Sequence, residues 1–213
     1  HKEYRRQRQM CIRDRTKVIM DTMKVRYGGT PHVILCKLKR RKIDANRDSV
    51  EAAQGNRYAI RAWQEYHHYI NVAKNIITQQ FGSGLFFDIH GHGANPDGFY
   101  DLRTWHGYLV PGDVLDQDDT SLNTVDNSNK TSIRALVDSS LFNFIEVLRG
   151  TNSFGALMDS LNYKSVPSVN DPGPMGSRYF SGGYNTARHG SRGGGSISAC
   201  LLYTSDAADD TPC

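Results

Sequence analysis

The stretch GLFFDIHGHGANPDG, residues 84–98, places Asp88, His90 and His92 at the end of an apolar run, just before a glycine- and proline-rich break. A neutral imidazole is a common zinc ligand. A histidine leaving a buried parallel strand sits at the carboxyl end of a sheet, where open α/β folds assemble their sites. His90 is therefore a candidate metal ligand, with Asp88 placed to orient the ring through its other nitrogen and His92 beside it rather than on the metal. The alternative is that His90 and His92 are polar turn residues with satisfied hydrogen bonds.

Two metal patterns built on paired histidines are disfavoured. The H-x-H-x-D-H signature of metallo-β-lactamase-like sites is absent, because the chain continues ANPDG. An eight-stranded amidohydrolase barrel needs roughly 250 residues.

A second constellation is KIDANR, residues 42–47. The planar guanidinium of Arg47 suits a bidentate grip on a carboxylate, and the amide of Asn46 adds a hydrogen bond. The preceding KLKRRK reads as a solvated basic loop, since no aromatic residues interleave with the charges as a nucleic-acid surface would require. The third constellation is YFSGGYNTARHGSRGGG, where Gly182 and Gly183 lend backbone freedom and Tyr184, Arg188 and His189 supply donors to a substrate-facing loop. His67 and His68 are adjacent on a helical segment, so their side chains point about 100° apart and do not form a ligand pair.

These residues need elements to hold them. Residues 17–26 read as the end of a helix stopped by Gly28 and Gly29, and HVILCKL (32–38) reads as a strand. From Val50 to about Phe81, apolar residues recur every three or four positions, which predicts one long helix capped by Asp48 or Ser49 and closed by Gly82 and Gly84. LFFDI follows as a buried strand of parallel type, completing a βαβ unit. HGYLV (106–110) is a further strand and PGDVLDQDDTSLNTVDNSNK an acidic loop. Helices are expected over 132–136, 139–149 and 154–161. The turn-rich stretch from Ser165 to Gly195 is too long for an ordinary connection.

The two ends read differently from the body. HKEYRRQRQMCIRDR and SISACLLYTSDAADDTPC lack amphipathic period and caps. Both resemble peptides translated from sequencing-adapter DNA. Residues 1–15 and 196–213 are therefore set aside as non-native, leaving one partial α/β domain over 16–195. Three of the four cysteines, Cys11, Cys200 and Cys213, fall in those ends, so the lone Cys36 of the body supports no disulfide framework. The body is only mildly basic and holds no apolar run of the ~20 residues that span a bilayer, so neither nucleic acid nor membrane is an expected partner. A soluble, by default cytoplasmic, protein is the expectation.

In this order, GGTPHVILCKLKRRKIDANR, AWQEYHHYI, GLFFDIHGHG, HGYLV and YFSGGYNTARHGS resemble the N-formylglutamate amidohydrolase family, relatives of the zinc carboxypeptidases. The resemblance covers nearly all of residues 16–195. It implies a three-layer α/β fold with a mixed, mostly parallel central sheet, here truncated at both ends. It also implies zinc as cofactor and a small N-acyl amino acid as substrate, whose amide bond is hydrolysed by zinc-bound water. By this resemblance His90 matches a zinc-binding histidine, Asn46 and Arg47 the pair that holds the substrate carboxylate, and Tyr184 with Arg188 the substrate loop. The family's first histidine and acidic ligand fall upstream of Thr16, and its catalytic glutamate falls where SISACLL stands. The chain is thus expected to be an inactive fragment of an enzyme. A metal-free module that binds a carboxylate ligand is the alternative.

Overall fold

The computed structural model describes the backbone of residues 2–92 and 101–205, and the side chains of residues 14–91 and 101–204. Helix α1 (Lys2–Tyr27) is continuous, so the arginine-rich opening and the expected helix end form a single element, which stops at Gly28 with a positive φ of 67°. The run 32–38 is not a strand. It lies without regular structure, with Val33, Leu35 and Leu38 exposed. Its β-branched residues favour extended backbone, but propensity supplies no ladder partner, and Cys36 packs against the cluster of Ile43, Ala52 and Trp63.

The long helix is broken once. Asp48 caps α2 (Ser49–Ala53) by accepting from the amides of Val50 and Glu51, as its position predicts. The chain then turns through Gln54 and Gly55, both at positive φ, and Asn56 caps α3 (Arg57–Phe81) through the amides of Tyr58 and Ala59. Two good caps and a left-handed glycine cost less than carrying Gly55 through a helix interior. The apolar stripe of α3 is real: Ala59, Trp63, Ile70 and Ala73 are buried, with His67 on the same face.

Strand β1 (Gly84–His92) follows, then β2 (Thr104–Gly107). The latter ends before the expected Val110 because Leu109 adopts φ 68° and donates its amide to the Ser181 carbonyl. The acidic stretch is not a loop but three helical turns, α4 (Gly112–Leu115), α5 (Asp119–Leu122) and α6 (Val125–Asn129). Asp118 caps α5 through the Ser121 amide and Thr124 caps α6 through the Asn127 amide; the same side chains that mark loops also start helices. Next come α7 (Arg134–Ser139), α8 (Phe144–Arg149) and α9 (Phe154–Ser160), close to expectation. The turn-rich segment carries β3 (Ser165–Val166) and α10 (Tyr184–His189).

The chain enters the sheet last through β4 (Ile197–Ser205), within the residues that the sequence reading set aside. The strand order is β1-β4-β2-β3, with β1 parallel to β4, β2 antiparallel to β4, and β3 parallel to β2. This is an α/β fold on a mixed, open four-stranded sheet flanked by helices. The βαβ unit expected around α3 does not form, because 32–38 joins no ladder and the parallel neighbour of β1 is β4. Phe86, Asp88 and His90 alternate toward α3 and α10, while Leu85 and Phe87 face α9. The larger core, Tyr108, Leu115, Leu122, Ile133, Phe144, Leu148 and Cys200, lies on the second face. Among the described residues, no helix is long and apolar enough to cross a membrane.

Candidate functional site

The carboxyl end of β1 delivers Asp88 and His90 to one face, with Asp88 buried and His90 partly so. His90 Nε2 lies 3.0 Å from Asp88 Oδ2, an ion-pair contact when the ring is protonated. Burial alone would lower the His90 pKa, but the Asp88 charge and hydrogen bonding outweigh it, and the net shift is upward. Across the sheet the ring stacks on Tyr203 of β4 with centroids 5.8 Å apart.

Asn46 reaches the same histidine from the turn before α2. Asp44 shapes that turn by accepting from the amides of Asn46 and Arg47. The Asn46 oxygen Oδ1 accepts from the backbone amide of Asn185 at 2.8 Å, which fixes the amide's orientation and turns Nδ2 toward His90 Nε2 at 3.4 Å. Asn185 completes the ring of contacts by donating Nδ2 to Asp88 Oδ1 at 3.3 Å. Gly183 makes room for this. A Cβ there would stand 2.6 Å from Asn46 Nδ2.

Four residues thus meet: Asn46, Asp88, His90 and Asn185. Nε2 of His90 faces both Asp88 and the Asn46 amide: with its proton it donates to the carboxylate, without it it accepts from Asn46 Nδ2, and Nδ1 points away from both. Among the described residues there is no group of three or more His, Cys, Asp or Glu side chains able to hold a metal ion, so His90 fits as one ligand of a set but does not complete one. His92 ends β1, and its side chain lies outside the described residues.

The other expected residues divide. Tyr184 and Arg188 stay together on α10, the guanidinium donating to the phenol oxygen at 2.9 Å and lying over the Trp63 ring at 5.1 Å. Arg47 turns away to Glu51 at 3.4 Å and Asp44 at 3.8 Å, with its side chain 56% exposed, while its carbonyl accepts from Trp63 Nε1. Nothing in the structure joins Arg47 to His90.

Sequence reasoning missed Asn185 and Tyr66. Burial, with the Asp88 charge next in weight, pushes the Tyr66 phenol well above its usual range, so it is a neutral hydrogen-bonding group beside that carboxylate. Asn185 was detectable in principle. It precedes His189 by four residues, which puts both on one helix face. His67, expected to be a plain helix-face residue, is buried and lies 2.8 Å through Nδ1 from His189 Nε2.

Asn46→Ala is expected to lower stability by about 1 kcal/mol through the lost bond to the Asn185 amide, and to release the His90 ring. Two-dimensional NMR of the histidine ring protons checks this: an unchanged His90 signal in the variant would show that Asn46 does not hold it. No protein-family model, curated protein or solved structure matches this chain.

Proposed function

We propose that this chain carries part of the active site of a zinc-dependent amidohydrolase that cleaves the amide bond of an N-acyl amino acid of the N-formylglutamate type. The observation that supports this most is the convergence of Asn46, Asp88, His90 and Asn185 at the carboxyl end of a parallel strand, with Nδ1 of His90 left available. His90 would be one zinc ligand. Zinc, when bound, would polarise the amide carbonyl and activate water. Asp88 and Asn46 both face His90 Nε2, Asp88 accepting when that nitrogen carries a proton and Asn46 donating when it does not. Tyr184 and Arg188 on α10, with Arg47 nearby in sequence to Asn46, would receive the carboxylate of the substrate.

With one candidate ligand and no general-base glutamate in the position the family resemblance calls for, the chain is expected to bind zinc weakly and to show no turnover. Calorimetry with zinc and a formate-release assay on N-formylglutamate check this. The expected result is weak binding that His90→Ala removes, and no formate. Sequencing the gene outward from the codons of residues 88–93, then expressing the longer product, tests the reading itself. Zinc-dependent formate release that His90→Ala abolishes would support it, and a longer product that binds no zinc would overturn it.

A second reading, a metal-free module for a carboxylate ligand, is favoured by the exposure of the Arg47 side chain, whose partners are themselves half-exposed or near the surface. It predicts binding of N-acyl amino acids that Arg47→Ala weakens and a chelator leaves unchanged.

A further inference from the structure

Beneath the candidate site lies a pair of imidazoles that the proposed chemistry does not use. His67 on α3 and His189 on α10 are 2% and 0% exposed, their rings stack with centroids 5.1 Å apart, and Nδ1 of the first faces Nε2 of the second at 2.8 Å. A contact of that length requires one nitrogen to donate and the other to accept, so at least one ring is neutral. The outer nitrogens, His67 Nε2 and His189 Nδ1, have no hydrogen-bond partner, and neither does the neighbouring Thr186 hydroxyl. The contact suits two neutral rings, and of the two outer nitrogens only that of His67 has a backbone group near it, at Ala45, that favours a further proton.

The element that His189 belongs to is short and bounded by glycines. α10 is six residues long, starts without a side-chain cap, and is bounded by Gly182 and Gly183 on one side and Gly190 on the other. Its hold on the rest of the molecule includes the histidine pair, Arg188 and Tyr184 against Trp63, Phe86 against the His189 ring, and two bonds of Asn185, one to Asn46 and one to Asp88. The last two are the bonds that organise the surroundings of His90.

We propose that the His67–His189 pair is an acid-sensitive latch that fastens α10 to α3, and that protonating it releases α10 and with it the Asn185 contacts to Asn46 and Asp88. The groups around the pair set the sign. Burial disfavours charge on both rings most strongly; on α10 Arg188, and on α3 Lys74, add further repulsion, while Asp88 on β1 and the Ala45 backbone favour charge. Tyr66 and Tyr184 pack edge-on against the His67 ring. The balance lowers both pKa values, to about 4 for His67 and about 3 for His189. In the open state the rings regain ordinary values near ~6.5, so lowering pH from 7 to 5 raises the open population by roughly 25-fold for each imidazole. This device stands whether or not the site hydrolyses an amide.

The test uses the full chain labelled with 5-fluorotryptophan, which gives two fluorine signals because the chain has two tryptophans. Trp63 touches His67, with ring centroids 4.3 Å apart, whereas Trp105 sits in β2. Between pH 7 and 5, above the pH at which the chain unfolds as a whole, the Trp63 signal is expected to move while that of Trp105 holds, and the step is expected to vanish in the His67→Gln/His189→Gln variant. Amide exchange of the unaltered chain provides a measurement that needs no variant. After correction for intrinsic rates, the amides of Ala187 and Gly190 in and beside α10 should open with acid before those of β4. Tryptophan signals that move together, a Trp63 step that survives in the double variant, or α10 amides that open no earlier than β4 would overturn the latch.

Discussion

Arg149→Ala is expected to lower the free energy of unfolding by about 3–5 kcal/mol, the cost of leaving three buried or half-buried carbonyls without a donor at about 1–3 kcal/mol each. The Arg149 side chain ends α8 and is 6% exposed, yet every edge of its guanidinium is used. Nη1 donates to the carbonyls of Leu115 and Pro172, Nη2 to the carbonyl of Gln117, and Nε and Nη2 to Asp119. One side chain thus terminates α4, meets the first residue of α5 and pins the turn at 172. Alanine would leave three carbonyls without donors in a region that packs on Leu115 and Leu148. Asp119 is different. Its side chain is 67% exposed, so Asp119→Ala should cost no more than about 1 kcal/mol, because the carbonyls keep the guanidinium in place. Urea denaturation of both variants checks the contrast. An Arg149→Ala protein within about 1 kcal/mol of the parent would show that the carbonyl cluster is satisfied by water and that the network is not structural.

Acidification should unfold the protein well before its carboxylates are neutralised. Three buried histidines, His67, His106 and His189, have pKa values lowered to about 4, about 4 and about 3, in each case with burial as the largest cause. His106 is fully buried in β2, with the Tyr108 hydroxyl 3.4 Å from its Nδ1. The sign follows from proton binding. Between the unfolded pKa near ~6.5 and the lower folded values, the unfolded chain holds protons that the folded chain does not, so stability is complete above ~6.5 and lost as pH falls. From pH 7 to 5 the loss is about 2 kcal/mol for each ring, a large part of the ~5–15 kcal/mol that holds a domain together. His90 acts in the opposite direction, because its pKa is raised; its contribution is present below ~6.5 and lost at higher pH. Stability measured by denaturant at pH 7, 6 and 5 checks the sum, and His106→Gln should remove one share of the acid slope. A stability unchanged between pH 7 and 5 would mean that these rings bind protons as readily in the folded chain as in the unfolded one.

The histidines also mark where sequence reading stopped. His90 was legible because an apolar strand followed by glycine is a local pattern, and the local pattern puts a side chain at a strand end. His67 was not. Its helix face could be read from the three-and-four spacing of α3, but its partner lies 122 residues away on a six-residue helix inside a glycine-rich segment. Arg47 shows what local spacing adds: two carboxylates three and four residues away, Asp44 and Glu51, partner its guanidinium in this structure.

What the sequence determined by itself is the local order of the chain: the helix start at Asp48, the apolar stripe of α3, the apolar strand from Gly84 with its alternating faces, the short helices over 134–160, and the presence of Asp88 and His90 on one side of that strand. Each depends on caps, period or turn residues that act within a few positions. What only the tertiary structure decided is which strands pair and which side chains meet. HVILCKL has the residues of a strand but no ladder, while SISACLLYTS, without period or caps, runs between β1 and β2 and is buried along most of its length. The physical reason is that a strand is completed by hydrogen bonds to a neighbour, not by its own residues, and the neighbour is chosen by the packing of the whole sheet. The same holds for the site: Asn46, Asp88 and Asn185 are far apart in the chain, and only folding brings their amides and carboxylate to a single imidazole.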